Sequence, residues 1–300
     1  MSDRKWVRSS LRHLGGLLRG RGVCLCKGTV GRLLKGLGYS LRANEKRLTG
    51  PPHPDRDRQF GYIRRTRRRF LRAGLPVISV DAKKKELVGA FNNGGREYQP
   101  TGQPEQVNVH DFPDKDLGKA IPYGIYDVSD NTGWVSVGTD HDTSAFAVAT
   151  LRSWWDTIGK VRYATADRIL ICADGGGSNG SRVRAWKIEL ARFAADTGLR
   201  VTVCHLPPGT SKWNKIEHRL FSQITMNWRG RPLKTHQIII DLISSTTTAT
   251  GLTVHCTLDT SQYPTRISYT AAQVQALPLQ RHDFHDQWNY SLLPNDTPET

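Results

Sequence analysis

Two apolar runs constrain this chain more than anything else in it. Pro76-Val77-Ile78-Ser79-Val80 ends in Asp81, and Arg168-Ile169-Leu170-Ile171-Cys172-Ala173 ends in Asp174. Short aliphatic runs of this kind are the pattern of strands buried on both faces, which predicts a mixed α/β sheet with covered faces. Each strand delivers an Asp at its C-terminal end. Parallel neighbours bring such ends to one sheet edge, where ligands and metals are held. Between the runs lie Ile121–Val128 and Thr132–Gly138, a hairpin-like pair around Ser129-Asp130-Asn131, and then a helix through Phe146, Val148, Leu151 and Trp155. A helix over about Ser181–Thr197 and a strand over Arg200–Leu206 follow the second Asp, and Thr253–Leu258 reads as a late strand.

Strands first, then a helix, then a strand ending in Asp is the order of a ribonuclease-H-like domain. A third acid fits that frame. Beyond Pro207-Pro208-Gly209-Thr210-Ser211-Lys212-Trp213-Asn214 a helix is expected from about Lys215, with Ile216, Leu220 and Ile224 as its apolar stripe and Glu217 beside it in the first turn. Each acid alone has an ordinary explanation, since strand-end Asp residues cap turns and first-turn Glu residues answer the helix dipole. Three acids on the expected elements, in order, point instead to phosphoryl transfer. That reaction needs two divalent cations about 3.5–4 Å apart, held by hard oxygen ligands.

The loop after Asp174 offers a competing reading. Gly175-x-Gly177-x-x-Gly180 matches a dinucleotide fingerprint between a strand and a helix. The next strand, however, ends in His205-Leu206-Pro207-Pro208, without the acid that would hold a ribose. An Asp directly before the glycines would also oppose a pyrophosphate, so a nicotinamide cofactor is disfavoured, and no Gly-Lys-Ser/Thr follows to make a nucleotide loop.

Charge divides the chain. Residues 1–75 hold 20 Lys and Arg against 4 Asp and Glu, while residues 76–300 hold 23 of each, so the whole excess of +16 is N-terminal. This concentration suggests a polyanion-binding module joined to a domain with another task. Val7, Leu11, Leu14 and Leu18 predict a helix over Lys5–Leu18 that stops at Arg19-Gly20-Arg21-Gly22. Val30, Leu33, Leu34 and Leu37 predict a second, ended by Gly38, with Arg32 and Lys35 on its opposite face. Tyr39-Ser40-Leu41-Arg42 reads as a short strand or wing. The arrangement suits a helix-turn-helix in the major groove, and a simple helical hairpin with a solvated basic face stays open beside it. Pro51-Pro52-His53-Pro54 is read as a linker. A helix anchored by Phe60, Ile63, Phe70 and Leu71 then carries Arg64, Arg65, Arg67, Arg68 and Arg69, suited to lie along phosphates.

No apolar stretch reaches the roughly eighteen residues of a membrane span, and the interrupted Leu14–Leu18 run is too short for a signal peptide. Cys24, Cys26, Cys172, Cys204 and Cys256 make neither a disulfide framework nor a zinc pattern, so a cytoplasmic, nucleoid-associated protein is expected.

Four blocks then become specific: Val80-Asp81-Ala82-Lys83-Lys84-Lys85-Glu86, His110-Asp111-Phe112-Pro113-Asp114, Ala173-Asp174 through Gly180, and Pro208 through Ile216-Glu217-His218. In order and over about Gly28–Pro294, the chain resembles the DDE transposases of ISAzo-type bacterial insertion sequences. Ile216-Glu217-His218 also resembles the third-acid block of mariner-type transposases. The resemblance implies a ribonuclease-H-like catalytic domain with Asp81, Asp174 and Glu217 as the catalytic, metal-binding triad for two Mg²⁺ or Mn²⁺ ions. It further implies cleavage and joining of transposon-end DNA, with end and target DNA as partners and a homo-oligomer on DNA among the expectations.

The expected layout is a helix-turn-helix at 1–50, a linker helix at 51–75, the catalytic domain at 76–294 and a disordered tail at 295–300. The resemblance implies that members usually carry further DNA-binding sequence upstream, so a shortened copy, with mobility in doubt before chemistry, stays open as an alternative. An inactive copy acting as a DNA-binding regulator, and a nuclease or resolvase that does not join strands, are the alternatives. Lys212 and Lys215 are candidate phosphate contacts, and Trp213 a candidate base platform. Asp140-His141-Asp142 reads as a turn and helix cap rather than a metal site.

Overall fold

The computed structural model describes residues 9–41, 53–109 and 117–294. It divides into two compact units, residues 1–50 and 51–300.

In the small unit, α1 (Leu11–Arg19) and α2 (Lys27–Gly36) are joined by a turn in which Gly22 takes φ +80°. The Ser10 side chain accepts the His13 amide and so starts α1 later than the apolar spacing predicts; residues 1–8 lie outside the described residues. Val30 is the single buried apolar side chain among the described residues here, and Leu33 and Leu37 of its expected stripe are exposed. Tyr39–Leu41 carry no strand, and Arg42 lies outside the described residues.

The larger unit begins with α3 (Arg56–Arg72), the helix expected as a linker. It is part of the folded body instead: Ile63 and Phe70 pack with Val77, Leu170, Cys172 and Cys204 on the sheet. The spacing explains this, since Gln59, Ile63, Thr66 and Phe70 fall on one face and are buried.

The strands are β1 (Val77–Ala82), β2 (Glu86–Leu87), β3 (Lys119–Asp127), β4 (Thr132–Gly138), β5 (Arg168–Ala173), β6 (Arg200–His205), β7 (Thr253–Asp259), β8 (Leu279–Arg281) and β9 (Asn289–Leu292). Their order is β7-β4-β3-β1-β5-β6-β9-β8, with β2 paired to β3. β1, β3 and β4 are antiparallel neighbours, and β5 and β6 run parallel to β1. This central arrangement is the ribonuclease-H-like one, extended by β7 on one side and by the β9-β8 hairpin on the other.

Helices cover both faces. On the first lie α4 (Ser144–Trp154), continued by a π-helical stretch at Trp155–Gly159 and by α5 (Lys160–Arg162), and α6 (Arg184–Thr197). They pack on Val80, Ile125, Ile171 and Val203. On the second face lie α3 and the Glu217-bearing helix, which runs into α7 (Ser222–Trp228), then α8 (His236–Ser244). A short α9 (Ala271–Gln275) precedes β8. The expected tail at 295–300 lies outside the described residues. Among the described residues no helix is long and apolar enough to cross a membrane.

Candidate active site

Val80 of β1 stands opposite Ala173 of β5 in a parallel pair, so the next residues, Asp81 and Asp174, stand at the same end of the two strands. Val80 and Ala173 face the α4/α6 core. Side-chain alternation therefore turns Asp81 toward the other face, on which the third acid's helix lies. Ile216, Leu220 and Ile224 of that helix are fully buried, as their spacing predicts. Glu217 opens a π-helical turn, Glu217–Phe221, a local widening that is common at functional sites.

Two glycines let this helix sit close to the sheet. Gly124 is the register partner of Asp81, and a methyl group there would lie 2.5 Å from Phe221 Cε1 and 2.9 Å from Ile216 Cδ1. At Gly133 it would lie 2.6 Å from Leu220 Cδ1.

Buried neutral groups fix the acids. Ser79 Oγ donates to Asn214 Oδ1 at 2.5 Å and accepts the Ile216 amide at 3.1 Å, which ties β1 to the start of the Glu217 helix. Asn214 Nδ2 donates to Val80 O at 3.0 Å and reaches Asp81 Oδ2 at 3.4 Å. Asp174 Oδ1 accepts Asn179 Nδ2 at 3.1 Å and the Gly176 amide at 3.2 Å, and Asn179 in turn accepts Tyr123 OH at 3.3 Å. The His205 ring lies behind, between Asp174 O and Tyr290 OH; burial pushes it down to about 4, so it is neutral and turned away from the carboxylates. Sequence reasoning gave none of Ser79, Asn179, Asn214 and His205 a role. The only signal was that small polar residues stand within five positions of each acid.

The glycine loop shows why the dinucleotide pattern misleads. Gly176 aims its amide at Asp174, residues 177–179 make a single 3-10 turn, and α6 begins only at Arg184. A phosphate cradle needs those amides free at a helix start.

Burial raises the Asp81 carboxyl to about 8, and the charges of Asp174 and then Glu217 add to the shift. Burial also raises Asp174 and Glu217, opposed at Glu217 mainly by Lys83 and His218. Lys83 packs over the Trp228 ring at 4.4 Å and bridges to Glu86 at 3.6 Å. The carboxylate oxygens of the three acids do not all come within 4.8 Å of one another. An oxygen-only donor set that carries mutually repelling charge fits a hard divalent cation.

The basic candidates fall in two groups. Arg64, Arg65, Arg68 and Arg69 are exposed on one face of α3, where Arg65, Arg68, Arg69 and Arg72 line an open concavity of about 500 Å³. Arg67 is half-buried, and its charge, after burial, depresses Lys215, which places the two near each other. Lys212 lies over the Trp213 ring at 5.7 Å, and Trp213 is 53% exposed, edge-on to Phe60. In the small unit Arg32 and Lys35 are exposed, and Arg32 donates to Thr29 Oγ1 at 3.3 Å.

At the turn before α4 the cap is Thr143 rather than an acid, because the Thr143 hydroxyl accepts the Phe146 amide. Asp140 instead accepts the Tyr263 amide at 2.7 Å, and Asp142 Oδ1 is buried without a hydrogen-bond partner. His110, Asp111 and Asp114 lie outside the described residues.

Among solved structures the chain is similar to the Mos1 transposase paired-end complex with left transposon end, with 13% identity and a TM-score of 0.44 over 79% of this chain and 70% of that one. It is also similar to the Mos1 mariner paired end complex with Mn, with 13% identity and a TM-score of 0.41 over the same shares. The Mos1 strand transfer complex matches at 15% identity and a TM-score of 0.40, over 80% and 70%. No curated protein sequence matches. The family described as the Rhodopirellula transposase DDE domain matches residues 1–294, nearly the whole chain, and the protein belongs to that family of DDE transposases.

Proposed function

We propose that the protein cuts transposon-end DNA and joins the freed 3′-hydroxyl to target DNA at the edge formed by Asp81, Asp174 and Glu217. One observation supports this reading: three half-buried acids, in β1, just after β5 and at the start of the Glu217 helix, stand close enough that the charges of Asp174 and Glu217, after burial, add to the rise of Asp81 to about 8. Family membership supports it.

The three carboxylates would hold two Mg²⁺ or Mn²⁺ ions. When bound, such ions stabilise the charge on the attacking and leaving oxygens of an in-line displacement. The chain itself supplies position. Asn179 and Gly176 orient Asp174, Asn214 orients Asp81, and the Ser79 hydroxyl locks the start of the Glu217 helix against β1. Lys212 and Lys215, next to the start of the Glu217 helix, with Arg67 near Lys215, are suited to hold backbone phosphates, and Trp213 to stack on a flanking base. The exposed arginines of α3 are read as contacts to the DNA backbone. Residues 1–50 are read as a helix-turn-helix that presents Arg32 and Lys35 to the end sequence, and 76–294 as the catalytic domain.

The test is a nicking and joining assay on the element's flanking DNA, with Mg²⁺, Mn²⁺ or Ca²⁺, together with a thermal-shift series. Mg²⁺ and Mn²⁺ should support cutting and stabilise the fold by about 2.7 kcal/mol at a hundred times Kd, read as a rise in melting temperature. Neutralising all three acids (D81N/D174N/E217Q) should remove the Mn²⁺ shift at this edge. A full Mn²⁺ shift in that variant would sink the triad as the metal site, and a wild type that binds ends without cutting would favour the regulator.

A further inference from the structure

Outside the carboxylate edge, one cluster of metal-type side chains stands out among the described residues. His53 and Asp55, just before α3, meet His285 of the loop between β8 and β9, with one potential ligand atom from each lying within 4.8 Å of the others. We propose that His53, Asp55 and His285 form a second metal site, unrelated to the catalytic ions and suited to a divalent ion of intermediate softness such as Zn²⁺.

The donor chemistry argues for this ion class. Two imidazoles and one carboxylate are a borderline set, which favours Zn²⁺ and its neighbours over Mg²⁺, and three protein ligands leave a fourth position for water. The carboxylate is held ready. His285 Nε2 donates to Asp55 Oδ2 at 2.9 Å, and Arg58 Nη1 donates to Asp55 Oδ1 at 3.0 Å. Ligation needs the His285 Nε2 lone pair. The ring proton therefore moves to Nδ1 as the ion replaces the present hydrogen bond. Arg58 can stay on Oδ1 meanwhile, as the outer partner that a metal-bound carboxylate usually keeps.

The surroundings hold the ligands in place. Trp288 stacks on His285 at 4.2 Å and meets the His53 ring edge-on at 4.8 Å, forming an apolar wall. One turn into α3, Gln59 and Asn289 exchange two side-chain hydrogen bonds of 2.8 Å, both residues fully buried, and Asn289 also donates to Phe284 O at 2.8 Å. This amide pair fixes the start of α3 against the loop that carries His285. His285 itself sits at φ +45°, a left-handed conformation that few side chains adopt, and its carbonyl accepts the Trp288 and Asn289 amides at 2.8 Å. The loop thus spends an unusual backbone geometry on presenting this one ring.

An ion here would pin the start of α3 to the β8-β9 loop, and the hard-oxygen edge and the imidazole cluster would sort metals between them. The experiment uses the full chain with any purification tag removed and Co²⁺ as the visible probe. Wild type should show one saturable Co²⁺ band, displaced by micromolar Zn²⁺ and unaffected by millimolar Mg²⁺. The D81N/D174N/E217Q variant should keep it. His285→Asn, chosen because Asn also tolerates the left-handed backbone, should weaken Co²⁺ by more than the roughly 10–100-fold that loss of an outer-shell partner costs. No saturable band in wild type, displacement by Mg²⁺, or a band unchanged in His285→Asn overturns the site. Should that variant lose its circular-dichroism spectrum, Asp55→Asn decides, and an unchanged band there overturns it equally.

Discussion

The carboxylate edge and the arginine face of α3 belong to the same folded unit and are built on opposite rules. At the edge, every acid is half-buried, and Asp81 and Asp174 are each met by a buried asparagine amide, while Ser79 ties the third acid's helix to β1. On α3, Arg64, Arg65, Arg68 and Arg69 point into solvent from a helix whose other face is anchored by Ile63 and Phe70. The bond-making proposed for this edge needs reacting groups held to a fraction of an ångström, and the side chains of Asn214, Asn179 and Ser79 supply that fixing. The backbone binding proposed for α3 needs only positive charge along a track, so its arginines need no fixed partner. Substitutions at the edge should therefore act nearly all-or-none, and those on the face should be graded and additive.

The largest effect separates chemistry from binding. Asp81→Asn, Asp174→Asn and Glu217→Gln should each lower strand cleavage by about 10³-fold or more while leaving end-DNA affinity within a few-fold. Cleavage rates and gel shifts on the same duplex check this. If Asp174→Asn cost affinity as heavily as cleavage, the edge would be a binding surface like α3 and the contrast would collapse.

Next comes a residue with no polar atom on its side chain. Gly124→Ala places a methyl group where Phe221 and Ile216 now lie, so the Glu217 helix must move outward. Overpacking of this kind costs about 1–3 kcal/mol of stability, and a 1 Å displacement of a reacting group costs about 10²-fold in rate. Cleavage should fall by that order at a temperature where circular dichroism shows the variant folded. Wild-type cleavage in Gly124→Ala would mean that the position of Glu217 is not critical.

How much of this was legible in sequence follows the same division. The strand runs ending in Asp81 and Asp174, the hairpin between them and the Ile216-Leu220-Ile224 stripe all follow from local periodicity, and the sheet places them as that periodicity implies. The integration of α3 was hidden because five arginines mask its buried face, on which Gln59 and Thr66 take two of the positions. The β9-β8 extension was equally invisible: Leu279–Arg281 and Asn289–Leu292 are too short to show an alternation, and β9 pairs with β6 across more than eighty positions of sequence. Asn214 and Asn179 carry no pattern at all. Their roles depend on which backbone stands opposite, and only the fold supplies that.

Asn214 offers a middle-sized test. Asn214→Ala removes the donor to Val80 O and leaves the Ser79 hydroxyl without its acceptor, a loss of about 1–3 kcal/mol. Asp81 keeps its carboxylate but loses one support, so cleavage should fall by about tenfold, less than for Asp81→Asn and with end-DNA affinity unchanged. Equal losses for the two variants would make Asn214 a participant in the reaction rather than a positioning residue.

The smallest effects belong to the arginine face, and there the contrast can be drawn within one helix. Arg64, Arg65, Arg68 and Arg69, changed singly to Ala, should each weaken duplex binding only a few-fold, equally for end and random sequence. Each should also lower the slope of log affinity against log salt by about 0.9 for the phosphate contact it gives up. In combination the slope losses should add, because exposed and separated charges act independently. Arg67 differs. It is half-buried, close to the Cys172 thiol and to Lys215 beside Glu217, so it stands at the boundary between the two regions. Arg67→Ala should therefore reduce cleavage more than binding and reduce thermal stability as well, since its side chain packs where the other four do not. A titration of salt against affinity for the five single variants, run beside their cleavage rates, reads both quantities. Five indistinguishable arginines would place the boundary elsewhere; a lone cleavage defect at Arg67 would draw it through the middle of α3.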